Sequence, residues 1–392
     1  MAANDIKHNT TTSGRWMLVS QNGFDESLQY DDSYSPTEAD LGPEDVLVEV
    51  HAASLNYRDI AIAKAGKVAM PLPITPNVTP GSDGAGKILA LGSDVARLCP
   101  SLVQANGKGG IGQDVVTHLA PHTGSGSEDA DAAMPGFEDI GSGLGQKEHG
   151  TLCRRGVFHY SALLPMPAGL GYEAAASLTC SGLTAWNALM GVEGRKVKKG
   201  DWVLVQGTGG VSIASLQIAK AAGANVVATT SSPSKAARLK RLGAAHVINY
   251  RETPDWGLAA REHTPKDDAR GGGKPRGFDH VVDVGGALTA PQSLQAVRRD
   301  GLVTIAGVLG AAGDAPPEPV DIMAAMWSIC MVRGIVLGSR AMFADLLAFV
   351  AEHKVGVALD DEDQWFGFDR VKEAYARLSR QEHFAKVVIQ IK

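Results

Sequence analysis

Short β-rich runs separated by turn residues dominate the chain from Arg15 to about Leu98. Trp16 to Ser20, Asp45 to His51 and Gly86 to Ala90 carry these runs, and the Gly and Pro signals between them predict a β-domain with irregular connections. Pro71 to Pro80 holds four prolines in ten residues. Because proline fixes φ and has no N–H to donate, an extended connection is expected there. From Pro100 to about Gly150 the pattern fades. Gly107 to Gly112 and Gly124 to Gly145 are glycine-rich with little apolar periodicity, which predicts a long surface excursion, either an ordered loop near a site or a floppy insertion.

From about Tyr172 the pattern becomes that of an α/β domain. The Ala-rich stretch Tyr172 to Met190 predicts helix, Trp202 to Gln206 a buried strand, and Val211 to Ala222 a helix with apolar spacing. Asn225 to Thr230 and Ser234 to Leu242 repeat the strand and helix, and His246 to Ile248, His280 to Val284 and Leu302 to Ala306 read as further strands. Such alternation implies a parallel sheet with right-handed crossovers. Pro254 to Gly277 reads as a second loop insertion, and Val387 to Lys392 as a last strand.

Composition narrows the partners. At roughly 150 residues per domain, 392 residues suggest two to three domains. A formal charge of −6 argues against a nucleic-acid partner. Cys99, Cys153, Cys180 and Cys330 lie too far apart for a zinc clip or a disulfide framework, so a reducing compartment is expected. No run of about 18 apolar residues predicts a membrane span, and Met1 to Arg15 is too polar for a signal core. The expectation is a soluble, cytoplasmic protein.

The strongest chemical signal is Gly207-Thr208-Gly209-Gly210-Val211-Ser212, between a predicted strand and a predicted helix. Such a turn lets backbone N–H groups approach a pyrophosphate at a helix amino end. Ser212 stands where the usual third glycine would be. A carboxylate about twenty residues on would bind the ribose diol of NAD, but the second strand ends Thr229-Thr230-Ser231-Ser232. Ser231, Lys235, Arg238 and Tyr250 instead suit a 2′-phosphate, so NADP(H) is the expected cofactor. The alternative is that Lys235 and Arg238 are solvated helix residues.

With these motifs in hand, the chain resembles the medium-chain dehydrogenase/reductase superfamily, in its zinc-lacking, quinone-oxidoreductase-like and enoyl-reductase-like branch. The resemblance rests on Ser54-Leu55-Asn56-Tyr57-Arg58-Asp59, Pro80-Gly81-Ser82-Asp83-Gly84-Ala85-Gly86, Leu178 to Trp186, the turn at Gly207, Asp283-Val284-Gly285-Gly286 and Gly338-Ser339-Arg340. Only the stretch from about Pro100 to Gly150 and the loop from Pro254 to Gly277 lack a clear match. The resemblance implies a GroES-like β-barrel domain over 1–170, a Rossmann domain over 171–340, and a segment 341–392 returning to the first, with the nucleotide in the cleft between them. It also implies that Val284, Gly285, Gly307 and Val308 line the nicotinamide side, with Gly338, Ser339 and Thr184, and that Asn56 approaches the nicotinamide ribose. Association as a homodimer is common in relatives, with Leu302 to Ala306 and Ile335 to Leu337 offering apolar edges.

Zinc-dependent relatives carry Cys, then Gly-His-Glu, then a third Cys. Here these positions hold Asn56, Ser82 followed by Asp83, and Cys180. A catalytic zinc needs about three protein ligands plus water, so no metal is expected. His118 and His122 have i,i+4 spacing, but Pro121 argues against a regular helix between them. Cys180 reads as a small buried core residue beside the cofactor. Without a Lewis acid, hydride transfer to a conjugated acceptor such as an enone, activated alkene or quinone is the coherent chemistry, because a hydrogen bond can stabilise the resulting enolate. Tyr57 is the candidate proton donor, against a packing role beneath the cofactor. For Arg58, pairing with Asp59 or a surface carboxylate is expected over stabilising an oxyanion, and Asp59 is expected to fix the loop. His51, His149, His246 and His263 have no supporting constellation. Competing readings are a zinc-free NADP alcohol dehydrogenase, a non-redox lyase or cyclase, and a binding protein on the same fold.

Overall fold

The computed structural model describes residues 13–64, 73–104, 107, 109–267, 273–307, 319–361 and 364–392. Val308, the first two positions of Pro71 to Pro80, and Gly271 and Gly272 lie outside the described residues. The chain forms two compact units. One comprises the chain up to Ala130 with Gly136–Cys180 and Leu359–Lys392, and the other Asp131–Pro135 with Ser181–Ala358. The boundaries thus fall near 180 and 358, not 170 and 340. Helix Tyr172–Ser177 packs on strands Asp45–Leu55 and Asp83–Leu91, and helix Arg340–Glu352 packs on helix Leu183–Met190.

In the first unit the eleven-residue strand Asp45–Leu55 organises a seven-stranded sheet. Its first half pairs antiparallel with Arg155–His159 and its second half with Val387–Gln390. Along its other edge lies Asp83–Leu91, followed by Asp114–Thr117 and Leu163–Pro165. The expected surface excursion from Pro100 to Gly150 is therefore in part a piece of the sheet. Val115, Val116, Leu119 and Leu144 are buried, and Val115 and Leu144 join the core with Ile88, Phe158, Leu163 and Tyr375. A four-residue strand held on both sides by ladders needs no long apolar period of its own.

The second unit is a six-stranded parallel sheet ordered His246–Asn249, Asn225–Thr230, Trp202–Gln206, Phe278–Asp283, Val297–Ile305 and Met331–Gly334. This is the expected Rossmann arrangement, and strand order reverses next to Gln206, where nucleotides bind in such sheets. Leu204, Val227, Val281 and Val303 face a common core with Phe278 and Trp256. Trp256 belongs to helix Trp256–Arg261, so the expected loop insertion from Pro254 to Gly277 is partly helical. Leu302 to Ala306 is no sheet edge, because Val297–Ile305 is paired on both sides, and Leu337 is buried. Met331–Gly334 is the last strand of the sheet, and around it Ile322, Met326, Trp327, Ile329 and Val332 are exposed. No helix among the described residues is long and apolar enough to cross a membrane.

Candidate functional site

The second unit builds the turn expected from the sequence to be a phosphate cradle. Strand Trp202–Gln206 runs into Gly207, whose φ of +75° is a left-handed conformation that glycine adopts without strain. Gly209 then caps the twelve-residue helix Gly210–Ala221, and it has no side chain to satisfy the first helical N–H groups. Helix amino ends of this kind favour anions. A Cβ built on Gly207 or Gly209 would meet no atom within 4 Å, so the protein leaves room at both positions. Ser212, in place of the third glycine, is buried and donates its hydroxyl to the Gln206 carbonyl at 2.5 Å. The substitution ties the helix to the strand that feeds it.

Beside this turn, strand Asn225–Thr230 ends without an acid. The Tyr250 N–H donates to the Thr230 carbonyl at 3.1 Å, drawing the end of the neighbouring strand to it. Ser232 caps helix Pro233–Arg241 by accepting the Lys235 N–H at 3.4 Å. Lys235 and Arg238 are half-buried three residues apart on that helix, while Tyr250 is exposed. Ser231 lies between strand end and cap.

The loop after Phe278–Asp283 is pinned by buried Asp283, which the sequence reading used only as part of a motif. Its Oδ1 accepts from the Gly285 and Gly286 N–H groups at 3.0 and 2.9 Å and from the Thr289 hydroxyl at 2.5 Å. Its Oδ2 accepts from the Ser293 hydroxyl at 2.6 Å. Gly307 packs so closely that an added Cβ would lie 2.5 Å from the Val284 carbonyl oxygen. Likewise a Cβ on Gly338 would lie 2.7 Å from Leu183, next to Thr184, which is buried. Ser339 is the N-cap of helix Arg340–Glu352, accepting the Met342 N–H at 3.2 Å. A Ser ahead of an apolar helical run was a readable cap signal.

The first unit carries a second cluster. Asn56 ends strand Asp45–Leu55 and starts helix Tyr57–Ala63, its N–H donating to Asp59 at 2.7 Å. Burial pushes the Asp59 carboxyl up to about 6 against the opposing pull of Arg58. Tyr57 sits on the first turn, 39% exposed. Arg58 does not pair with a carboxylate as expected. It donates to the carbonyls of Leu144 and Ile140 and to Gln146 Oε1 at 3.0–3.3 Å, stitching the glycine-rich stretch to this helix.

Asp83 is fully buried and takes four donors. Ser82 Oγ reaches its Oδ1 at 2.8 Å, and Ser54 Oγ, the Cys180 N–H and Lys386 Nζ reach its Oδ2 at 3.3, 3.4 and 3.0 Å. Lys386 Nζ also donates to Asn56 Oδ1 at 2.5 Å. Sequence reading missed Lys386 entirely. Its place follows from register: Val387 lies opposite Leu55, which brings Lys386 level with Asn56. Cys180 sits in the π-helical turn Leu178–Gly182 and is half-buried, not a core residue. Burial, reinforced by Asp83, pushes its thiol up to about 12. His122 turns instead towards Glu148, 3.5 Å away. Among the described residues no three His, Cys, Asp or Glu side chains gather as a metal site.

Comparison with known proteins agrees with both units. The model of the alcohol dehydrogenase GroES-like domain matches residues 42–168, reaching across the stretch from Pro100 to Gly150, and that of zinc-binding dehydrogenases matches residues 210–352. A zinc-type alcohol dehydrogenase-like protein of Schizosaccharomyces pombe is 37% identical over 358 residues, covering 90% of this chain and 92% of its own. A crotonyl-CoA reductase of Streptomyces collinus is 29% identical over 291 residues, 68% of this chain and 62% of that protein. The solved structure of an NAD-dependent alcohol dehydrogenase superposes with a TM-score of 0.74 at 28% identity, covering 97% of this chain and all of the other. With a GroES-like unit, a Rossmann unit and a relative this similar along nearly its whole length, the chain belongs to the medium-chain dehydrogenase/reductase family of oxidoreductases.

Proposed function

We propose that the protein is a zinc-independent, NADPH-dependent reductase of a conjugated acceptor: an enone, an activated alkene or a quinone. The observation that carries this reading is the donor set at Asn56, Ser82, Asp83 and Cys180. Zinc binds deprotonated thiol, neutral imidazole or carboxylate. Here only one of the three ligand positions is a thiol, the other two are an amide and a hydroxyl, and the neighbouring carboxylate already bonds an ammonium. These residues do not fit the ion. Reduction of a simple ketone would leave a localised alkoxide without a strong partner. A conjugated acceptor spreads that charge, so one hydrogen-bond donor suffices. The likeness to a crotonyl-CoA reductase, whose name specifies an unsaturated thioester, supports the same choice.

The nucleotide fits the cradle described above. Gly207, Thr208, Gly209, Gly210 and Val211 would hold the pyrophosphate, and Ser231, Lys235, Arg238 and Tyr250 the 2′-phosphate. Thr184, Val284, Gly285, Gly307, Gly338 and Ser339 would line the nicotinamide half. NADPH bound there supplies the hydride. Tyr57, exposed on the first turn of its helix, offers a phenol to the enolate oxygen, beside Asn56. The test is NADPH consumption by chelator-treated protein with a panel of enones, quinones, aldehydes and ketones. Turnover of the first two classes in the presence of chelator is expected. Activity appearing only after zinc is added would sink the reading, as would failure to bind NADPH.

A homodimer through the strand Met331–Gly334 belongs to the same proposal. Ile322 is 85% and Trp327 74% exposed beside that strand, more apolar surface than a solvated sheet edge ordinarily shows. Wild type is expected to sediment as a dimer and Trp327→Asp as a monomer. Equal sedimentation of the two would remove this edge from the interface.

A further inference from the structure

We propose that the Lys386 ammonium is the resident cation of the first unit's polar cluster, a positioning residue that takes the place of a metal ion. Lys386 is 4% exposed and Asp83 0%, so the pair is withdrawn from water. Nζ lies 2.5 Å from Asn56 Oδ1 and 3.0 Å from Asp83 Oδ2. Asn56 is the residue at the first of the zinc-ligand positions, and Asp83 follows the second. One covalently attached charge thus binds the oxygens of two segments that a metal would otherwise draw together. The remaining acceptor sites of Asp83 are filled by Ser82 Oγ, Ser54 Oγ and the Cys180 N–H. Both Asp83 oxygens thus have hydrogen-bond donors besides the ammonium, as a buried ion pair requires if it is not to be a net cost.

A scaffold alone would not need this charge, since well-packed apolar residues commonly replace such a pair without loss of stability. The cation has a further effect on Asn56. By donating to Oδ1 it polarises the amide, and the N–H bonds at Nδ2 become stronger donors. Resting on the hydride-transfer reading, that polarised amide supports the Tyr57 phenol in steadying negative charge on the oxygen of the conjugated acceptor. Lys386 acts through Asn56 and does not itself touch the substrate.

The full-length protein is compared with Lys386→Met and with the double variant Asp83→Asn/Lys386→Met, using cobalt(II) as the metal probe. Wild type is expected to take up no cobalt and to show no cobalt–thiolate absorption. Lys386→Met, with Asp83 left uncompensated, should lose on the order of 5–15 °C in Tm. The double variant should regain most of that loss while kcat stays down by about 10-fold or more, with affinity for NADPH unchanged. Recovery of kcat together with Tm would overturn the proposal, leaving a purely structural ion pair. Stoichiometric cobalt binding to wild type through Cys180 would overturn it as well. If wild type binds NADPH but reduces no enone or quinone, the hydride-transfer reading fails by itself; cobalt uptake and the Tm pattern then still decide whether Lys386 is the resident cation.

Discussion

Gly209→Val is expected to abolish nucleotide binding while leaving the protein folded. Gly209 has φ −79° and ψ 175°, extended backbone that any residue adopts, and a Cβ there would meet nothing within 4 Å. Neither conformation nor packing within the chain demands glycine. The demand comes from whatever fills the open space, and on the proposed reading that is a pyrophosphate drawn against the N–H groups of helix Gly210–Ala221. A branched side chain would occupy the same volume. The expected result is a loss of about 100-fold or more in NADPH affinity, roughly 3 kcal/mol. Losing a permissive N-cap costs about 1 kcal/mol, so Tm should fall by only about 2–4 °C. Gly307→Val is the instructive contrast. There a Cβ would strike the Val284 carbonyl at 2.5 Å, so affinity and stability should fall together. Fluorescence titration with thermal melts separates the two patterns. A Gly209→Val protein that binds NADPH like wild type would take the turn out of the site.

Legibility followed the range of the interactions that shape each element. Asn225–Thr230 and Trp202–Gln206 stand where the apolar runs placed them, because strands buried on both faces carry near-continuous apolar runs at their centres. The strand–turn–helix at Gly207 was readable because strand, glycines and helix are contiguous. The first unit's cluster is assembled from distant segments. Lys386 and Asn56 are 330 positions apart and meet only because Val387–Gln390 pairs with the end of Asp45–Leu55. In the sequence, a single lysine before an apolar strand is indistinguishable from a surface charge. Arg58 misled in the same way, since two of its three acceptors are backbone carbonyls at Ile140 and Leu144, which have no signature in side-chain pattern, and the third is the neutral side chain of Gln146. Asp114–Thr117 was hidden by the glycines around it, although its ladders to Asp83–Leu91 and Leu163–Pro165 make it an interior strand.

Replacing both Lys235 and Arg238 with Ala is expected to weaken NADPH binding by about 100-fold or more and NADH binding little, since each charge-assisted bond to a phosphate is worth about 1.5–3 kcal/mol. The local structure favours these two residues over other surface cations. Ser232 fixes the start of their helix by accepting the Lys235 N–H, and the i,i+3 spacing puts Lys235 and Arg238 on one face. The bond from Tyr250 to Thr230 brings a phenol-bearing residue to the same strand end, which carries hydroxyls and no carboxylate. A carboxylate there would repel a 2′-phosphate and accept from a ribose diol. Ser231→Asp should therefore move preference the other way, towards NADH. Together the two variants test sign as well as size, because general damage to the fold would weaken both nucleotides alike. Wild type that binds NADH as tightly as NADPH would remove the phosphate site, and with it the choice of NADPH as the hydride donor.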